Sequence, residues 1–90
     1  MGTEKIYVVI EDYVWDGQIH SLSPVAFRSK TDAEKYLQDR FDEELTFFRN
    51  AIWEEDLEID NSSKTRKEVS ECDYWIFNHF DIRITETELK

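Results

Sequence analysis

The chain has 90 residues, of which 40% are apolar and 14% aromatic, and its formal net charge at pH 7 is −10. This length fits one domain spanning residues 1–90 with a single core, and two glycines and one proline are too few for a disordered or collagen-like chain. Because so negative a protein repels nucleic acid and anionic membranes, we expect neither as a direct ligand and expect a basic partner instead.

Cysteine usage and the N-terminal segment both favour a cytoplasmic protein. Cys72 is the single cysteine, so no intramolecular disulfide can form, and an oxidising compartment is not indicated. The first apolar run, residues 6–10, has acids on both sides. It is too short for a signal peptide or a membrane span.

The first third of the chain predicts a β-hairpin. Residues 5–15 are rich in β-branched and aromatic side chains, and Asp16-Gly17 then supplies the residue types of a type I′ turn. A return strand over residues 18–27 contains Pro24, which predicts an edge strand or a bulge. Alternation along the first strand places Ile6, Val8 and Ile10 on one face and Tyr7, Val9 and Glu11 on the other.

Residues 31–52 predict one amphipathic helix. Thr31 and Glu34 fit a capping box, so we expect the helix to begin at Asp32. Six apolar residues fall within an arc of about 120°, which predicts that the helix lies on one face of a sheet. They are Ala33, Leu37, Phe41, Leu45, Phe48 and Ile52, and the polar residues opposite them are Asp39, Asp42, Glu43, Thr46 and Asn50.

The segment AIWEEDLEID, residues 51–60, combines Trp53 with five acids and no base. Carried forward on the same helical wheel, Trp53 falls on the polar side, about 200° from Ala33. We therefore expect the helix to end or bend near Ile52 and Trp53 to pack against a later segment. The alternative is that Trp53 stays exposed within an acidic rim that a basic partner recognises.

The following segment carries the one cluster of bases, Lys64, Arg66 and Lys67, in a polar loop. We expect this loop to open a short second helix that runs to about Ser70, with Ser63 as its cap. Beyond it, alternation predicts a long final strand. One face of that strand carries Ile76, Phe80, Ile82 and Ile84, and the other carries His79, Asp81, Arg83 and Thr85.

Together these elements predict an α+β fold. The expected sheet has three antiparallel strands in a β-β-α-β arrangement with the order 2-1-3. One long amphipathic helix covers one face, and a short second helix precedes the last strand.

The uncovered sheet face is a candidate contact surface. If the residues Tyr7, Val9, Trp75, Phe77 and His79 line it together, the face is unusually aromatic for a solvated surface. Such a composition favours a homodimer or a partner contact. Ordinary polar alternation on a solvated face is the alternative.

No residue pattern indicates catalysis or a cofactor. His20, Cys72 and His79 stand at no metal-ligand spacing, and the chain has no glycine-rich phosphate loop. Acids on a solvated helix also lack the differently shielded environments that general acid–base catalysis needs. We therefore expect a protein that is not an enzyme and that uses no metal or cofactor.

The box FRSKTDAEKYL, followed later by YWIFNHFDIRITETEL, resembles a pattern found in small uncharacterised bacterial and bacteriophage domains. In these domains an aromatic residue ends a strand, a serine or threonine pair follows, and an amphipathic helix then opens. The resemblance implies a β-hairpin, helix and closing strand, and it implies no activity and no functional residues.

The sequence favours a protein-binding or regulatory module with a basic protein partner. Charge complementarity would accelerate the encounter, and Trp53 would anchor the contact. The alternative is a nucleic-acid mimic of the kind found in phage or mobile elements, whose carboxylates replace phosphates in the binding groove of a basic protein. A small-molecule enzyme is the second alternative. The predicted contact residues are Asp39, Asp42, Glu43, Trp53, Glu54, Glu55 and Asp56.

Overall fold

The computed structural model describes residues 4–71 and 78–89, in which one long helix crosses one face of an antiparallel sheet. The α+β class and the single long helix agree with the sequence prediction, but the sheet has six strands instead of three. The strands are β1 Glu4–Trp15, β2 Gln18–Ser21, β3 Val25–Phe27, β4 Leu57–Asp60, β5 Arg66–Glu71 and β6 His79–Leu89, and the helix is α1 Lys30–Ala51.

The strand order is β2-β1-β6-β5-β4, and β3 also pairs with β1. The return strand, the first strand and the last strand therefore lie side by side as predicted, and a second hairpin, β4–β5, extends the sheet beyond β6. The short second helix that we expected through Ser70 is wrong, because Arg66–Glu71 is β5. Lys67, a charged residue, is buried at an inward position of β5. The sequence of this strand therefore lacks the alternation of apolar and polar residues that marks a half-buried strand.

The β1–β2 turn is the tight turn that the sequence predicted. Asp16 and Gly17 have φ values of 52° and 77°, the left-handed region that a type I′ turn requires at both central positions. The return strand is split into β2 and β3, and Pro24 lies in the break. The pairs Asp12↔Ser21 and Val9↔Val25 place three residues opposite two, which is the predicted bulge.

Helix α1 begins two residues earlier than the capping box indicated. Ser29 is the N-cap, with extended backbone, and its hydroxyl oxygen accepts a hydrogen bond from the Asp32 backbone N–H at 3.3 Å. Thr31 and Glu34 are therefore inside the helix, and the prediction that they form its capping box is wrong. The helix ends at Ala51 with Ile52 as C-cap, as expected. Among the described residues, no helix has the length and apolar character that a bilayer span requires.

The core lies between α1 and the central strands. All six apolar helix residues of the predicted stripe are buried, and Phe80 and Ile82 of β6 are fully buried against them. Ile84 also packs on this cluster, while Ile76 is outside the described residues. The predicted alternation of the last strand is thus confirmed for the part of it that the structure describes.

The two faces of β1 are used in the reverse of the expected way. Val9 is 1% exposed in the core, and Tyr7 packs against the same cluster. The reason is the register: Val9 pairs with Ile84 and Glu11 with Ile82, and directly paired residues share a face. Tyr7 and Val9 therefore do not line the uncovered face, and the prediction for these two residues is wrong.

The ion pair of Glu11 explains why the core face of β1 is the opposite of the expected one. This carboxylate is only 5% exposed, and Arg40 of α1 reaches it with Nε and Nη2, each 2.9 Å from Oε1. A buried charge needs such a partner, because the interior solvates it far less than water does. Alternation alone therefore misassigned the face, since the compensating charge comes from another element.

Replacing Arg40 with methionine should destabilise the fold by about 3 kcal/mol, because it leaves Glu11 buried without its partner. The matched control is Arg49→Met, which removes an ion pair to Glu54 whose side chains are 50% and 65% exposed. That change should cost at most about 1 kcal/mol. Urea unfolding measures the loss of unfolding free energy in both variants. Equal losses would show that the Glu11–Arg40 pair does not hold the helix to the sheet.

Gly17→Ala should lower the free energy of unfolding by about 1 kcal/mol, because a side chain is disfavoured at positive φ. A Cβ atom at Gly17 would meet nothing within 4 Å, so the loss is conformational and not steric. Asparagine tolerates this backbone region, so Gly17→Asn should cost less than Gly17→Ala in the same thermal or urea unfolding. Equal losses for the two variants would contradict the conformational explanation.

Candidate functional site

The outer face of α1 presents three of the predicted contact residues, Asp39, Asp42 and Glu43, to solvent. Asp42 accepts a hydrogen bond from Gln38 Nε2 at 2.8 Å, and Glu43 pairs with Arg40 at 2.7 Å. No ion pair involves Asp39 or Asp42 within the described residues. This face is therefore only partly neutralised.

Trp53 projects from the chain directly after α1. Its exposed fraction is 77%, so the expectation that it packs against a later segment is wrong, and the alternative of an exposed aromatic is correct. The backbone is extended at Ile52, and a short 3₁₀ helix, Glu54–Asp56, follows. The Asp56 N–H donates to the Trp53 carbonyl at 2.9 Å, which closes a backbone turn over the three acids that follow Trp53.

We call Trp53, Glu54, Glu55 and Asp56 the acidic rim. Glu54 and Glu55 are exposed, and Asp56 is half-buried. Glu54 forms an exposed ion pair with Arg49 at 3.3 Å, and this is the one ion pair of the rim in the described part of the chain. The structure thus brings four of the seven predicted contact residues together at the C-terminal end of the helix.

A second feature, which we did not predict from the sequence, is a pocket of about 580 Å³ between the β1–β2 hairpin and α1. Tyr13 and His20 pair across the hairpin with ring centroids 5.7 Å apart. Phe47 stands on the helix side, 45% exposed, and packs against Trp15 at 4.8 Å. We call it the aromatic pocket; its lining residues are Tyr13, His20, Leu22, Arg40, Glu43, Glu44 and Phe47.

The charge of the aromatic pocket centres on Arg40, which binds three carboxylates: those of Glu11, Glu43 and Glu44. Three negative charges and one positive charge leave this group with a net charge of −2. Although burial opposes its charge, hydrogen bonds and charge interactions with Glu11 and Glu44 raise the pKa of Arg40. Burial, followed by the charge of Glu44, raises the pKa of Tyr13.

The sheet face opposite α1 carries an ion-pair network around Asp81, which is only 5% exposed. Arg66 Nη2 donates to Asp81 Oδ2 at 3.1 Å, and Arg83 Nη1 lies 3.6 Å from Oδ1 and 2.9 Å from Asp12 Oδ2. His79 is on this face as predicted and lies 3.4 Å from Glu68. Trp75 and Phe77, which we also placed here, are outside the described residues.

The same face brings together three groups that could hold a metal ion, although the sequence showed no ligand spacing. Ligand atoms of Glu68, His79 and Asp81 lie within 4.8 Å of one another. They come from β5 and β6, so their proximity depends on strand pairing and not on spacing along the chain. A cation here would compete with Arg66 and Arg83 for Asp81. Among the described residues, Asp81 Oδ1 is buried and has no hydrogen-bond partner, because Arg83 Nη1 is 3.6 Å away.

The signal for the aromatic pocket was present in the sequence. Arg40, Glu44 and Phe47 stand at i, i+4 and i+7, which places them on one side of a helix. Tyr13 and His20 are equidistant from the Asp16-Gly17 turn and therefore pair across the hairpin. What the sequence could not supply is the packing that brings these two sets together.

The raised pKa of Tyr13 predicts a tyrosine that ionises above the ordinary value of about 10. Since the folded chain holds this proton more tightly than the unfolded chain, the associated stability is present below pH 10 and is lost as the pH rises through the folded-state pKa. Phenolate absorbance should show this late titration, and Tyr13→Phe should remove it. Glu44→Gln should lower the pKa only in part, because burial is the larger cause.

Comparison of the chain with protein-family models, curated proteins and solved structures gives no match. The function of the protein therefore has to be inferred from the chemistry of the acidic rim and the aromatic pocket.

Proposed function

We propose that the protein is a binding module that recognises a basic protein partner through the acidic rim. The observation that carries the proposal is the 77% exposure of Trp53. Among the described residues, the other large apolar side chains are buried or half-buried, apart from the exposed Ile19, Leu22, Phe47 and Ile59. When a partner covers an exposed tryptophan, apolar surface is removed from water, and this contributes favourably to the binding free energy. Its exposure is thus explained if the partner completes its burial.

Trp53 has the properties of an interface anchor. Tryptophan is enriched among the residues whose truncation costs about 2 kcal/mol or more of binding free energy, and such anchors are surrounded by contacts that exclude water. Here the surrounding groups are Glu54 and Glu55, both exposed. An apolar centre with a negative rim therefore selects a partner surface that is apolar at its centre and basic around it.

The rest of the negative charge assists recognition at longer range. Residues 31–60 contain eleven acids and three bases, and Asp39, Asp42 and Glu43 extend the negative surface along α1. A field of one sign steers an oppositely charged protein towards the site and accelerates association. In this proposal the acids of α1 accelerate the association of the two proteins, and Trp53 contributes to the affinity of the complex.

Nucleic-acid mimicry is the second candidate function, and the shape of the molecule favours it. The molecule measures 53 × 23 × 16 Å, and α1 is 22 residues long, about 33 Å. Exposed carboxylates along such a rod can occupy a groove that normally binds phosphates. This mode spreads the binding energy over many charges and gives Trp53 no special part.

The test begins with capture of a basic protein from a lysate of the source cells on the immobilised chain, followed by affinity measurements on the purified pair. Trp53→Ala should weaken binding by at least about 30-fold, the equivalent of 2 kcal/mol. Ile19→Ala is the matched control, because Ile19 is 80% exposed on β2 and is not part of the rim. It should leave the affinity unchanged.

The charge arm uses Glu54→Gln, Glu55→Gln and Asp56→Asn together, with Glu4→Gln, Glu86→Gln and Glu88→Gln as the control triple. Under the proposed function the rim triple slows association more than the control triple, and the complex survives about 0.5 M salt, where the Debye length is roughly 4 Å. Loss of the complex in that salt, with no effect of Trp53→Ala, would support mimicry and reject the aromatic anchor.

A further inference from the structure

The walls of the aromatic pocket suit a planar cation. Tyr13, His20 and Phe47 contribute three aromatic rings, and Leu22 adds an apolar edge that is 43% exposed. A guanidinium group is planar and weakly hydrated, so it stacks on aromatic faces better than the compact, strongly hydrated ammonium of lysine. The volume of about 580 Å³ is also within the range of ligand-binding pockets, about 300 to 1,000 Å³.

The charge of the pocket selects the same ligand. Arg40 already donates to Glu11, Glu43 and Glu44 through Nε, Nη1 and Nη2, and the surplus charge of the group is negative. Glu43 and Glu44 each bind Arg40 through one carboxylate oxygen, Oε2 and Oε1 respectively. An incoming guanidinium can therefore donate to the second oxygen of each without displacing Arg40.

Other ligand classes fit less well. An anion would be repelled by the net negative charge of Glu43, Glu44 and Arg40 in the lining. A neutral apolar group would have to remove water from the Glu43 carboxylate, whose side chain is 70% exposed, without replacing its hydrogen bonds. The raised pKa of Tyr13, caused by burial and then by Glu44, is consistent with a site that disfavours further negative charge.

We infer that the aromatic pocket binds an arginine side chain of the basic partner. This inference rests on the proposed function and deepens it: Trp53 inserts into the partner, and the partner inserts an arginine between the β1–β2 hairpin and α1. The guanidinium stacks against Tyr13 and Phe47 and donates to Glu43 and Glu44.

The test uses Nα-acetyl-arginine amide as the probe, titrated into the isotope-labelled full chain and followed by NMR. The expected result is saturable shifts at Tyr13, Arg40 and Phe47. Nα-acetyl-citrulline amide, which has the same shape without the charge, should bind at least about tenfold more weakly. Nα-acetyl-lysine amide should also bind more weakly, and equal binding of the lysine compound would overturn the guanidinium assignment.

Variants then localise the site. Phe47→Leu should weaken arginine amide binding about fivefold through loss of the aromatic face, and Glu43→Gln should weaken it about two- to fivefold. Glu88→Gln removes an exposed charge from β6, outside the pocket, and should change binding less than about twofold. Shifts spread over all acidic surfaces, with the same effect from Glu43→Gln and Glu88→Gln, would show that no pocket site exists.

The failures of the two proposals are distinguishable. If the arginine probe does not bind but Trp53→Ala still disrupts the partner complex, the pocket inference is wrong and the proposed function stands. If the probe binds in the pocket but no basic partner depends on Trp53, the site is real and the proposed anchor is wrong.

Discussion

The ion pair between Arg40 and Glu11 is the contact on which the rest of the structure depends. Glu11 stands in the middle of β1 and is 5% exposed, so its charge is tolerable only where a cation reaches it. Arg40 supplies that cation from α1, and this fixes both which face of β1 the helix covers and where along the strand it lies. The same guanidinium binds Glu43 and Glu44, so a single side chain joins the sheet to the charged wall of the aromatic pocket. Fold and candidate site therefore share one electrostatic centre.

The exposure of Trp53 follows from where the apolar stripe of α1 ends. Ile52 is the last residue that the stripe can bury, and its extended backbone stops the helix there. Trp53 then leaves the helical path, and the 3₁₀ turn of Glu54–Asp56 fixes the acids beside it. The acidic rim is thus a local structure with its own hydrogen bond, from Asp56 to Trp53. The backbone of this segment is therefore ordered before a partner binds, which reduces the backbone entropy that binding has to overcome.

Patterns within one element could be predicted from the sequence, and patterns that depend on two elements could not. The stripe of α1, the positive-φ turn at Asp16-Gly17 and the alternation of Phe80 and Ile82 follow from helix and strand periods alone. The core face of β1 could not be read, because Glu11 resembles a solvated residue until Arg40 is placed beside it. For the same reason β5 was missed: Lys67 is 5% exposed, and its ammonium donates to the Asn61 carbonyl at 3.1 Å. The exposure of the site residues on α1 could be predicted from the sequence. The aromatic pocket could not, because it depends on the packing of the β1–β2 hairpin on α1.

The outer strands of the described sheet bear on how the protein behaves at high concentration. On one side the return strand is divided by the Pro24 bulge, and on the other β4 has only four residues, two of which are Glu58 and Asp60. Exposed strand edges are templates for cross-β aggregation unless a bulge, a proline or charge interrupts them. Each edge here carries such an interruption, so pairing with strands of other molecules is disfavoured at both edges. The described sheet is rich in β-branched and aromatic residues, yet neither of its edges offers a long uninterrupted backbone to neighbouring molecules.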